Sequence, residues 1–89
     1  MNLKKAREIL EQDNIYDYKK PLSKVERLVI FEAVAKRVGR HIDFYAGHDL
    51  LYIGEFEWLT KAMFEEEFML LVKSGCFYDE EQDGWAMYT

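Results

Sequence analysis

The spacing of apolar residues changes character at one glycine near the C-terminal end. Leu59, Met63, Phe64, Phe68, Leu71 and Val72 recur at helical intervals, while Glu65, Glu66 and Glu67 fall on the other side. The spacing predicts one helix, with Thr60 as its N-cap and Gly75 as the left-handed residue that closes it. Beyond Gly75 the period drops to two. Phe77 alternates with Cys76 and Tyr78, then Trp85 and Met87 alternate with Ala86 and Tyr88. Glu80, Glu81, Gln82, Asp83 and Gly84 lie between the two runs, the chemistry of a hairpin turn.

Upstream, Leu3, Ala6, Ile9 and Leu10 give a short amphipathic helix over residues 3–12, too short to hold without docking. Asp13-Asn14 breaks it, and Ile15 to Pro21 reads as an extended link, with Pro21 keeping Lys20 out of helical conformation. Ser23-Lys24-Val25-Glu26 has the form of a capping box. The helix it opens runs to about Val38, with Gly39 just past its end. Val25, Leu28, Val29, Ile30, Phe31, Val34 and Val38 cover more than one face, which predicts a mostly buried helix touching the sheet and the first helix. His41 to Tyr45 reads as a short extended piece, Ala46 to Asp49 as a turn, and Leu50 to Ile53 as a compact strand. The expected fold is one α+β domain over residues 1–89: a three-stranded antiparallel sheet with about three helices, in the order α-α-β-α-β-β.

An apolar content of 49% argues for a packed core, and no apolar run approaches the ~20 residues of a membrane span. The first residues lack the apolar segment of a signal peptide, and Cys76 is the only cysteine. The expectation is therefore a cytoplasmic protein that engages no membrane. Charge divides the chain. Residues 1–40 carry ten bases against six acids, net +4; residues 41–89 carry two against eleven, net −9. Such a dipole suits either a partner drawn to one pole or self-association, and a hairpin strand left at a sheet edge adds to the case for a homodimer.

Chemistry is sparse. His41, Asp43, His48 and Asp49 are close in sequence but match no metal-ligand spacing, so no metal and no cofactor is expected. Asp13-x-Ile15-x-Asp17 lacks the later ligands of a calcium loop. Cys76 follows the C-terminal end of a helix, the wrong pole to stabilise a thiolate, and Ser23 and Thr60 are occupied as caps. With no nucleophile elbow or phosphate loop, the chain is read as non-catalytic. Lys24, Arg27, Lys36, Arg37 and Arg40 form a basic strip on the second helix that offers nucleic acid an alternative surface. The helix dipole already accounts for its last three members, and no aromatic is interleaved to stack on bases.

The layout Leu71-x-x-x-Gly75-x-Phe77-x-Asp79-Glu80, followed by Trp85-x-x-Tyr88, resembles the ending of small accessory orphan proteins of bacteriophages and prophages. It covers about the last third of the chain and carries over no functional residue. The resemblance implies a small protein that binds and modulates another protein, such as an inhibitor of a host enzyme. On the residues alone, the acids Glu65, Glu66, Glu67, Asp79, Glu80, Glu81 and Asp83 form the candidate partner-binding surface. Trp58 and Tyr78 are its candidate anchors. The partner expected is another protein with a basic or apolar groove.

Overall fold

A computed structural model describes residues 1–12 and 21–89; the break read at Asp13-Asn14 and the link read over Ile15 to Pro21, apart from Pro21 itself, lie outside them. The architecture is α+β, with α1 (Leu3–Leu10), α2 (Lys24–Arg37), β1 (Tyr45–Gly47), β2 (Leu50–Glu55), α3 (Phe56–Ala62), α4 (Glu65–Lys73), β3 (Phe77–Asp79) and β4 (Gly84–Tyr88). The sheet is fully antiparallel, in the order β1-β2-β4-β3. The C-terminal strand is therefore interior, and β1 and β3 form the borders of the sheet among the described residues.

Two expectations are corrected. The segment His41–Asp49 contains a strand, so the sheet has four strands rather than three. His48 and Asp49 make a two-residue turn, with His48 in the left-handed region (φ 50°), and Tyr45 pairs with Tyr52 across it. The single helix expected after Leu59 is two. Met63 and Phe64 are both extended (ψ 149° and 153°), and the helix restarts at Glu65. Electrostatics explains the break. Glu65, Glu66 and Glu67 occupy the first turn of α4, where the helix dipole favours acids, and Glu67 accepts a hydrogen bond from the Phe64 N–H at 2.8 Å. At the other side of the break, the α-ammonium of Met1 donates to the carbonyls of Lys61 and Met63, at 3.1 and 2.8 Å. Thr60 is consequently inside α3 and buried, not a cap.

The start of α2 and the glycine closures of α2 and α4 follow the sequence, while β2 runs two residues past the strand read over Leu50 to Ile53 and α1 ends two residues short of the helix read over 3–12. Ser23 and Glu26 exchange hydrogen bonds of 3.1 and 3.0 Å at the start of α2, and this holds the Glu26 carboxyl below its ordinary pKa. Both long helices close with a glycine at positive φ, Gly39 at 68° and Gly75 at 102°. In each, the next residue bonds back across the last turn, Arg40 N–H to Ala35 and Cys76 N–H to Leu71.

All four helices contribute to one core on one face of the sheet. Ala6, Ile9, Phe31, Val34, Phe56, Leu59, Phe68, Leu71 and Val72 meet Ile53, Trp85 and Met87. Trp85 is the centre. Its ring lies 5.4–5.6 Å from Phe31, Phe56 and Phe68, and its indole N–H donates to the Thr60 hydroxyl at 3.0 Å. The second helix is less buried than its apolar content suggests. Only Phe31, Val34 and Ala35 are covered, while Val25 and Val29 are 70% and 60% exposed.

Candidate functional site

The helices leave the other face of the sheet uncovered among the described residues. The two-residue alternation of the strands sends Tyr45, Leu50, Tyr52, Phe77, Ala86 and Tyr88 to that face, and Tyr45, Tyr52, Ala86 and Phe77 stand in one row across the four strands. None of these side chains joins the core cluster. The rings meet in two tilted pairs, Tyr45 with Tyr52 at 5.2 Å and Phe77 with Tyr88 at 5.0 Å. Ala86 is the small residue between them. Tyr45 lies across the face far enough for its hydroxyl to donate to the side-chain amide oxygen (Oε1) of Gln82, 3.0 Å away in the β3–β4 turn. The result is a trough of about 180 Å³ with Ala86 in its lining and Asp79, Glu81 and Gln82 at one side. The phenol of Tyr52 has a raised pKa, first through burial and then through Glu55, the neighbouring Tyr45, Asp83 and Asp79.

The acids singled out in the sequence have different partners in the fold. Glu65 pairs with Lys5 at 2.8 Å, near the start of α1, whereas Glu80 borders a cleft with Arg7, Leu10 and Glu11 toward its end. Glu67 is structural. It forks onto Arg37, whose guanidinium also covers the Phe64 ring at 4.2 Å and donates to the Ala62 carbonyl. That ion pair holds the Glu67 carboxyl below its ordinary value. Stability from a depressed carboxylate is present above the unfolded value and lost as pH falls through the folded one. We expect Glu67→Gln to melt below the parent at neutral pH, and the gap to close as pH drops below the ordinary glutamate value of 4.5. Parallel melts from pH 7 downward check this; a gap that widens in acid would refute it.

Both candidate anchors are partly committed to packing. Trp58 packs against the core beneath Arg40, whose guanidinium sits 4.3 Å from the ring. Tyr78 packs edge-on to Phe56 at 4.9 Å and donates its hydroxyl to Asp83 at 2.6 Å, which raises the Tyr78 pKa. Asp79 accepts from the Glu81 N–H at 3.1 Å, and Glu66, Glu80 and Glu81 extend into solvent. In the basic strip, Arg27 donates to the carbonyls of Leu22 and Ser23, and Arg37 and Arg40 are engaged as described. Lys24 and Lys36 are exposed and have no described ion pair or ring contact.

The nucleophile candidates are likewise occupied. Ser23 and Thr60 accept the bonds given above, and Ser74 Oγ accepts from the Leu22 N–H at 2.9 Å. Cys76 is fully covered, and burial pushes its thiol up to about 12. His41 and Asp43 line a groove of about 410 Å³ beside Trp58, while His48 borders the trough on the open face. The four residues weighed as metal ligands are thus divided between two places, and no three His, Cys, Asp or Glu residues converge as ligands among the described residues. No helix described is long and apolar enough to cross a membrane.

Tyr45 and Tyr52 were not among the sequence candidates. Their signal was the alternation Tyr45-x-Gly47 and Leu50-x-Tyr52 around the dipeptide His48-Asp49, a hairpin turn lacking its usual asparagine or glycine. Comparison with protein-family models, with curated proteins and with solved structures gives no match.

Proposed function

We propose that the protein is a non-catalytic binding module for another protein, acting through an acidic and aromatic surface on its C-terminal half. The observation that carries this reading is the sheet face that the helices leave uncovered among the described residues, where four aromatic rings stand outside the core and two of them, Tyr45 and Tyr52, line a trough with Asp79 and Glu81. Aromatic rings bordered by charge are the composition of interface anchors. The satisfied hydroxyls and the buried, high-pKa thiol of Cys76 support the non-catalytic part. A modulator of a host protein, as the phage-type resemblance implies, is a role that such a surface suits. The nucleic-acid alternative has less support, because Arg27, Arg37 and Arg40 are used within the fold and carboxylates repel phosphate.

The test is a pull-down of the tagged chain from a bacterial lysate, with and without nuclease. Recovery of one protein regardless of nuclease is expected. The exposed-turn variant Glu80→Lys/Glu81→Lys should lose at least tenfold in recovery, and Lys24→Glu/Lys36→Glu should change little. Reversal at Glu67 is unsuitable, since it would break the Arg37 pair. Recovery abolished by nuclease, or lost only in the lysine variant, would replace this reading with the nucleic-acid one.

A further inference from the structure

The trough over Ala86 has a chemistry specific enough to name its occupant. Its volume of about 180 Å³ falls below the roughly 300–1,000 Å³ of pockets that hold drug-sized molecules and cofactors. It suits the end of one side chain. Tyr45 and Tyr52 supply aromatic faces, and Asp79 and Glu81 supply carboxylates; among the described residues His48 is the only basic side chain in the lining. A ring face attracts cations through its quadrupole, and a planar guanidinium both stacks on rings and forks onto a carboxylate. The protein already makes this pairing elsewhere: Arg37 covers Phe64 while it forks onto Glu67. In the trough the ring and carboxylate components are present, and no cationic side chain of the described residues lies over the rings.

We propose that the open sheet face binds an extended segment of another protein, seating one of its arginines in the trough against Tyr45, Tyr52, Asp79 and Glu81. This rests on the binding-module reading and gives it a partner chemistry. The row from Tyr45 to Phe77 crosses four strands, three spacings of about 4.8 Å, or roughly 14 Å. Leu50 lines the trough, and Phe77 and Tyr88 lie beyond it, so the residues flanking the arginine are apolar. A nucleic-acid strand could stack on the same rings, but the charges beside them repel its phosphates.

The probe is a blocked seven-residue peptide, Leu-Thr-Val-Arg-Val-Thr-Leu, titrated into the ¹⁵N-labelled full chain at low salt. The expected result is a set of shifts on Leu50, Tyr52, Asp79 and Ala86. Affinity should fall at least tenfold when the arginine becomes glutamine, and at least fivefold when it becomes lysine. Tyr45→Ala and Glu81→Gln should each weaken binding at least fivefold. Tyr45 is 53% exposed and Glu81 is exposed, so their melting temperatures should stay near the parent's. No binding up to millimolar peptide, equal binding of the glutamine peptide, or shifts confined to the α4 acids would overturn the proposal. In each of those cases a nuclease-resistant partner in the pull-down keeps the module reading alive, and its absence ends both. Shifts on the same face that grow with protein concentration alone would make a second copy the occupant and would also overturn it.

Discussion

Trp85→Ala should cost about 3–5 kcal/mol, the range for truncating a large buried aromatic. The indole is fully covered and touches three phenylalanines, one from α2, one from α3 and one from α4, so its removal opens a void where the helical layer meets the sheet. For 89 residues the whole stability is on the order of 4–13 kcal/mol at ~0.05–0.15 kcal/mol per residue, so this one change removes roughly a quarter of it or more. The polar half of the contact can be separated. Thr60→Val leaves the indole N–H buried without an acceptor, worth about 1–3 kcal/mol, or a melting temperature lower by roughly 4–20 °C. Combining it with Trp85→Phe removes the stranded donor, so the double variant should be less destabilised than the sum of the singles. Thermal melts of the four proteins measure the cycle. A Trp85→Ala chain melting within a few degrees of the parent would refute this account of the core.

The same residues show what the sequence could and could not reveal. The capping box at Ser23 and the glycines at positions 39 and 75 are local devices, and each fixed a boundary that the structure retains. The alternation of Trp85 and Met87 with Ala86 and Tyr88 likewise separated the core face from the open one. The break at Met63–Phe64 was hidden because Met63 and Phe64 continue the helical spacing, yet Phe64 is 63% exposed. It is held there by contacts remote in sequence: Arg37 from α2 and the ammonium of Met1. The acids were legible as a charge excess. Their roles were not, because whether a glutamate is free or paired depends on which base the fold brings to it. Lys5 and Arg37 are 60 and 30 residues from their partners. The open face stayed unseen for a similar reason. A three-residue strand carries too little pattern to register alone, and Tyr45 acquires its meaning only when β1 pairs with β2.

Gly84→Ala should destabilise the protein by about 1–3 kcal/mol and spoil the open face at the same time. A Cβ at Gly84 would stand 2.5 Å from the Gly54 carbonyl oxygen, 2.5 Å from Tyr52 Cε2 and 2.8 Å from the Tyr52 hydroxyl. The tyrosine ring can swing away. The carbonyl belongs to β2 where the strand carries an extra residue between Tyr52 and Gly54, so relief there must come from the β2–β4 pairing itself. By the usual conversion the melting temperature drops by roughly 4–20 °C. Gly47→Ala is the control, because a Cβ there meets nothing within 4 Å and should leave the melt close to the parent's. The functional consequence follows from the geometry: a displaced Tyr52 takes away the ring on which Tyr45 leans, 5.2 Å from it. Gly84→Ala should therefore weaken the arginine peptide in solution well below its new melting temperature, whereas Tyr45→Ala weakens it without a stability change. A variant that melts low but binds the peptide as the parent does would separate the trough from Tyr52 and place the ligand elsewhere on the molecule.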